Sequence, residues 1–269
     1  MRQPEGFNDG TEVVCRLQRS LYGLKQSPRC WNIKFKTFFL NFNLLETKAD
    51  PCVFVNRENK VLIVAIFVDD GLVVATSSQD VNALMEYLRQ HFNITDYRKR
   101  IESIFSSRQK LILKGYSDAD YAGDLDTRRS TSGSVFTLRS GSIARSSRRQ
   151  QCVRLSTTES EYIALSRAVQ ELTWLKLFLS ELMDQLKMVP TMYGDNQSAI
   201  KLVKNLEFHR RTKHIDVRYH YIRKQFNEGL FALEYISSKE QIADIMTKPT
   251  PRTRFNELRE MLRIINIDV

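Results

Sequence analysis

The sequence predicts an α/β (α+β) protein: a mixed sheet flanked by helices, preceded by a smaller sheet-bearing domain. Three observations carry this. The chain has 269 residues, enough for two ordinary domains with real cores. Its second half runs three strands, helix, strand, helices, strand, helix, the alternation of a mixed sheet with helices against it. Its first half holds "VLIVAIFVDDGLVVAT", an apolar run, a polar tip and a second apolar run, which reads as a hairpin.

Taken in order, residues 21–46 predict a turn and a helix. Ser27-Pro28 starts the helix, and Trp31, Phe35, Phe38, Phe39 and Phe42 recur at spacings of three and four. Residues 53–55 and 61–76 are strand-like, with Asp70-Gly71 suited to the tight turn between the long strands. A helix is expected over 80–92, then a polar, basic junction near 96–110. Beyond it come a strand over 111–118 and a hairpin over 132–139 and 142–147 through Ser140-Gly141. A long helix follows over 157–183, a strand over 190–194 and helices over 196–205 and 213–227. A strand over 231–236 and a short helix over 238–248, ended by Lys248-Pro249, complete the set.

Composition narrows the class. Hydrophobic content of 42% and charged content of 27% suit a globular protein. No run approaches the roughly 20 apolar residues of a membrane span, so no membrane partner is expected. The N-terminus lacks a basic-then-apolar leader pattern. Cys15, Cys30, Cys52 and Cys152 form no paired motif, which excludes structural zinc and disulfides and suits a reducing, intracellular location, cytoplasm or nucleus. The net charge is +10 and the excess is spread over the chain. Arg145, Arg148, Arg149 and Arg154 cluster among Ser and Gln donors; such a strip neutralises phosphates or simply solvates an edge hairpin.

Carboxylates at element ends carry the chemistry. In "GYSDADYAGDLD" Asp118 follows the apolar strand directly, and Asp120 shares its face by period two. Asp124 and Asp126 lie beyond Gly123 in turn. In "STTESEYIALSRAVQEL", with about 100° per residue, Leu165, Ala168, Leu172, Leu175, Leu179 and Leu182 all fall within about 60° of Glu161. Glu159 falls about 160° away and completes a capping box with Ser156, although Thr158 with Glu161 offers a second one. A carboxylate centred on an apolar stripe is costly unless paired or metal-bound. Asp195 stands at a strand-to-helix turn, as a ligand or as the helix N-cap. Asp244 on the short helix reads by itself as a solvent-face residue. His209, His214 and His220 share no helix face and have no cysteines to complete a site.

The order Asp, Glu, Asp, Asp resembles ribonuclease H, and "GYSDADYAGD", "LSTTESEYIALS", "DNQSAI", "RTKHIDVRYHYIR" and "QIADIMTKP" resemble the ribonuclease H region of copia-type retrotransposon Pol polyproteins. "QPEGF", "LYGLKQSPRCWN", "ADPCVFV" and "FVDDGLVVAT" resemble the late part of their reverse transcriptase. The resemblance implies a partial reverse-transcriptase palm over 1–97, a junction over 98–110, a ribonuclease H-like domain with a five-stranded mixed sheet over 111–249 and a helical tail over 250–269. It implies that Asp118, Glu161, Asp195 and Asp244 hold two Mg²⁺ or Mn²⁺ ions and cleave the RNA strand of RNA–DNA hybrids. It implies that Asp69 and Asp70 are the remnant polymerase metal site. Arg145, Arg148, Arg149, Arg154, Arg210, Arg211 and Lys213 are expected to hold RNA or DNA phosphates. The chain departs from the family: its other palm aspartate precedes "QPEGF", its long thumb-and-connection stretch shrinks to 96–110, Ala144-Arg145 replaces Ser-Trp, and Arg154 replaces a small residue. No polymerase activity is expected. A degenerate remnant that binds nucleic acid without cutting it is the rival reading.

Overall fold

The structure is a computed structural model that describes residues 3, 5–7, 10–11, 13–14, 16–18, 20–21, 23–56, 58, 62–68, 70–95, 111–139, 141–183, 189–204 and 220–264. The chain divides into two compact units, Met1–Tyr97 and Arg98–Val269.

In the first unit helix α1 (Ser27–Leu40) opens with proline in its first turn, where a missing N–H costs nothing. Strands β1 (Leu45–Glu46), β2 (Val53–Asn56), β3 (Leu62–Phe67) and β4 (Asp70–Ala75) form an antiparallel sheet in sequence order. Helix α2 (Ser78–Arg89) is capped by Ser77, whose hydroxyl accepts from the Gln79 N–H. Phe39, Leu44, Phe54, Leu62, Val64, Leu84 and Leu88 form the core. Of the aromatic stripe on α1 only Phe39 is fully buried; Phe35 stacks on Phe92 at 4.8 Å.

The hairpin corrects one expectation. Phe67 pairs with Asp70 and Ile66 with Gly71, so Asp70-Gly71 lies in β4 and the connection is at 68–69. Apolar register decides this: Val64 faces Val73 and Ala65 faces Leu72. Val68 takes the left-handed conformation at φ 57°. The Trp31 indole N–H donates to its carbonyl at 2.6 Å.

The second unit contains β5 (Leu113–Ala119), β6 (Thr131–Leu138), β7 (Gly141–Arg149), α3 (Thr157–Leu182), β8 (Thr191–Gly194), α4 (Gln197–Lys204), α5 (His220–Asn227) and β9 (Ala232–Tyr235). A 3₁₀ helix (Ile242–Met246) and α6 (Arg252–Met261) end it. The sheet order is β7-β6-β5-β8-β9. The first three strands are antiparallel, and β8 and β9 join parallel, so the expected mixed five-stranded α/β sheet is present. Both sheet faces are covered. Phe136 packs under α3 with Leu165, Leu172 and Met192, whereas its neighbour Val135 packs on the other side with Ala243, Leu258 and Leu262.

Instead of the helix expected over 238–248, five residues form a 3₁₀ turn. Gln241 pins its start, accepting from the Ala243 N–H and donating its amide to the Ser117 carbonyl at 2.9 Å. The turn lies so close to β6 that a Cβ on Gly133 would stand 2.5 Å from Thr247 Cγ2. Helix α6 is packed: Leu258 and Leu262 are buried. Among the described residues no helix is long and apolar enough to cross a membrane.

Candidate functional site

Three carboxylates from separate elements converge. Asp118 on β5, Glu161 in the first turns of α3 and Asp195 after β8 each offer an oxygen within 4.8 Å of the others. Local sequence explains each. The strand ends at Ala119, so Asp118 is its last inward carboxylate, fully buried. Asp120 turns away: its carboxylate accepts from the Thr131 N–H and holds the β5–β6 connection. Asp124 accepts from the Thr127 N–H at 2.7 Å and pairs with Arg149 at 2.7 Å, a turn role. Asp195 is not the helix cap. Asn196 is, accepting from the Ala199 N–H at 2.9 Å, and Asp195 instead accepts from the Ser238 hydroxyl at 2.8 Å.

Glu161 sits beside the buried stripe of α3, as the helical geometry required. Glu159, on the opposite face, is also buried, at 7% exposed. Residues 150–155 fold over it. Its carboxylate accepts from the Leu155 N–H at 3.0 Å and pairs with Arg154 at 3.3 Å, while its own N–H meets the Ser156 hydroxyl. Ser156 is thus the helix cap and the Glu159 carboxylate reaches back to Leu155, leaving Glu161 to the cluster.

Asp244 is buried, not solvent-facing. It joins the cluster through a cation: Lys248 Nζ stands 2.7 Å from Asp244 Oδ1 and 3.1 Å from Asp118 Oδ1. Arg254 of α6 stands 3.7 Å from the other Asp244 oxygen and donates to the Ser238 carbonyl at 3.1 Å. The Thr247 hydroxyl donates to Asp118.

The electrostatics record the crowding. Burial, then the charges of Asp118 and Asp195, push Glu161 up to about 9, against the Ala119 N–H that donates to it. Burial raises Asp118 too, opposed by Lys248 and Thr247. Burial draws Lys248 down, but Asp118 and Asp244 outweigh it and hold the ammonium charged. An all-oxygen, mutually repelling donor set of this kind fits a hard divalent cation.

The other expected residues are not brought here. Arg145, Arg148 and Arg149 are exposed on β7. Arg154 is turned inward, its side chain 13% exposed and bonded to Gln150 and Glu159, so its charge faces a carboxylate rather than solvent. Asp70 is exposed and belongs to no group of three potential ligands among the described residues. Asp69, Arg210, Arg211, Lys213, His209, His214, the side chain of His220 and the 98–110 junction lie outside the described residues. Cys30, Cys52 and Cys152 are free thiols. Lys248, Thr247, Ser238 and Arg254 were missed by the sequence reading; only the spacing of four between Asp244 and Lys248 signals one of them.

The family model described as reverse transcriptase (RNA-dependent DNA polymerase) matches residues 1–105. The retrovirus-related Pol polyprotein from transposon TNT 1-94 of Nicotiana tabacum is 31% identical over 97% of this chain and 29% of its own length. The Pol polyprotein from transposon RE2 of Arabidopsis thaliana is 26% identical over 99% of this chain and 26% of its length. By sequence the chain is a copia-type Pol fragment. It spans under a third of the polyproteins it matches. The tobacco alignment runs over 388 positions against 269 residues here, so over 100 positions of the alignment have no residue of this Pol fragment opposite them. Among solved structures, the N-terminal ribonuclease H domain from Mycobacterium tuberculosis is 12% identical, covering 56% of the Pol fragment and 98% of that chain, with a TM-score of 0.35. At that score the likeness carries no argument beside the sheet itself.

Proposed function

We propose that the second unit of this Pol fragment is a ribonuclease H-type endonuclease acting on the RNA strand of RNA–DNA hybrids, joined to an incomplete and inactive polymerase remnant. The observation that carries it is the convergence of Asp118, Glu161 and Asp195 from three separate elements. These three would hold a divalent ion, Mg²⁺ or Mn²⁺. Asp118 and Asp244 would hold a second ion only in place of the Lys248 ammonium, which pairs with both. When bound, such ions supply a metal-activated water and charge stabilisation at a phosphate. The chain's own residues keep the donors poised. Thr247 orients Asp118, Ser238 orients Asp195, and the Ala119 N–H orients Glu161. Arg145 and Arg148 on β7 are suited to phosphate contacts that position the duplex.

The test is cleavage of a labelled RNA–DNA hybrid by the purified chain with Mg²⁺ and with chelator. Asp118→Asn is expected to lower the rate by roughly a hundredfold or more. Mg²⁺-independent cleavage, or undiminished cleavage by Asp118→Asn, refutes the assignment. Hybrid binding without any cleavage supports the non-catalytic remnant.

A further inference from the structure

Gln150 follows β7 and is 1% exposed, with a charged neighbour and no role in the chemistry above. Its backbone N–H and both ends of its side-chain amide are engaged. Its backbone N–H donates to the Ser130 carbonyl at 2.7 Å. Its amide nitrogen donates to the Ser132 hydroxyl at 2.9 Å and to the Ser160 carbonyl at 3.0 Å. Its amide oxygen accepts from Arg154 Nε at 2.9 Å. That last bond fixes which way the amide points, because a guanidinium only donates and a carbonyl only accepts. Arg154 is in turn held by Glu159 at 3.3 Å.

The contacts close a ring. Ser132 on β6 stands opposite Ala119 on β5. Ser160 precedes Glu161 on α3. The carboxylate of Glu161 accepts from the Ala119 N–H. Gln150 therefore spans the two sides, sheet and helix, across which Glu161 must reach to meet Asp118.

We propose that Gln150, locked by Arg154, is a positioning residue that registers the start of α3 against β5 and so sets the Glu161 carboxylate beside Asp118 and Asp195. The proposal rests on the metal reading of that cluster. It also gives Arg154 a purpose within the fold: it orients the amide that orients the ligand. Residues that orient ligands from behind typically alter metal affinity by about 10–100-fold when replaced.

The experiment is Mn²⁺ binding to the full chain, followed by the paramagnetic resonance signal of free Mn²⁺ at 10 °C, with folding checked by circular dichroism. Gln150→Glu keeps the shape and an acceptor for Arg154 but sets an oxygen against the Ser160 carbonyl. It is expected to weaken Mn²⁺ binding about tenfold. Glu171→Gln, exposed on the same helix, is expected to bind as the wild type does. Folded Gln150→Glu with wild-type affinity overturns the proposal, even if its Tm is lowered, since that is a purely structural effect. If Gln150→Glu does not fold, Arg154→Lys decides: it keeps a cation at Glu159 but loses the planar Nε donor. Weaker binding by about threefold supports the proposal, and unchanged binding overturns it. Wild-type protein that binds no Mn²⁺ defeats the metal reading itself, and the positioning role with it.

Discussion

Glu161 makes the metal-free site sensitive to pH. Its carboxyl titrates near 9 in the folded protein against an ordinary 4.5, because burial and two carboxylates oppose its charge. Between those values the folded state keeps a proton that the unfolded state has shed. Stability is therefore fullest below the ordinary value and is lost as pH rises toward 9. The Tm of metal-free protein is expected to fall from pH 5 to pH 9, and Glu161→Gln to flatten that fall; a Tm that rises over this range contradicts it. Mg²⁺ held there would replace the proton, so its stabilising effect is expected to grow with pH. Lys248 offers a second test at this scale. Its ammonium compensates buried Asp118 but also stands in the way of a cation. Lys248→Met is expected to destabilise metal-free protein by about 1–3 kcal/mol in urea titrations while tightening Mn²⁺ binding. Loss of both stability and affinity would show that the ammonium helps the ion. Much of this was legible residue by residue. A strand end singled out Asp118 with Asp120 as rival, and a helical wheel singled out Glu161. Asp244 was not, since its burial depends also on Arg254, ten residues on, whose approach no local pattern encodes; only Lys248, four residues on, is hinted at by spacing.

At the scale of elements, regular pieces were readable and their junctions were not. The strands and helices from β5 to α4, and β9, lie within a few residues of the expected ranges because apolar periodicity sets them; of the helix expected over 213–227 the described part is His220–Asn227. The hairpin turn moved because cross-strand apolar pairs outweighed the turn propensity of Asp-Gly. Glu159 is covered by its own N-terminal neighbours, Arg154 and Leu155, in a stretch with no apolar periodicity to announce it. The 3₁₀ helix depends on a gap that only glycine leaves. A Cβ at residue 133 meets Thr247, Met246 and the Ala243 carbonyl at 2.5, 2.9 and 3.1 Å. Gly133→Ala is therefore expected to cost about 1–3 kcal/mol and to move Thr247 and Lys248 off Asp118. Urea midpoints report the first effect and a changed Mn²⁺ affinity the second; an unchanged midpoint means the turn shifts freely. Helix α6 was expected as a tail beyond the catalytic domain. Its buried Leu258 and its Arg254 contact at Asp244 argue that a functional domain includes it.

At the scale of the molecule, the two units differ in what they retain. The second assembles its carboxylates from β5, α3, the end of β8 and the 3₁₀ helix. The first keeps a packed antiparallel sheet, but Asp70 is exposed and gathers no cluster among the described residues. Purified chain is expected to add no nucleotides to a primed RNA template with Mg²⁺ present; measurable extension would reverse that reading. The net charge of +10 favours association with polyanions, so hybrid binding should weaken steeply as salt is raised.

The order of the site's parts along the chain has a consequence for synthesis. A ribosome delivers Asp118 early, Glu161 and Asp195 later, and Asp244, Lys248 and Arg254 only near the end. The β5–β6–β7 hairpins are able to pair while translation continues, at about 5–20 residues per second. The cluster cannot: its counter-cations and the helix that seats them follow it in the chain. Until Lys248 emerges a nascent chain carries Asp118 without its counter-charge, and until α6 emerges Asp244 lacks Arg254. Synthesis through α6 is thus the step that supplies both buried aspartates with their cations.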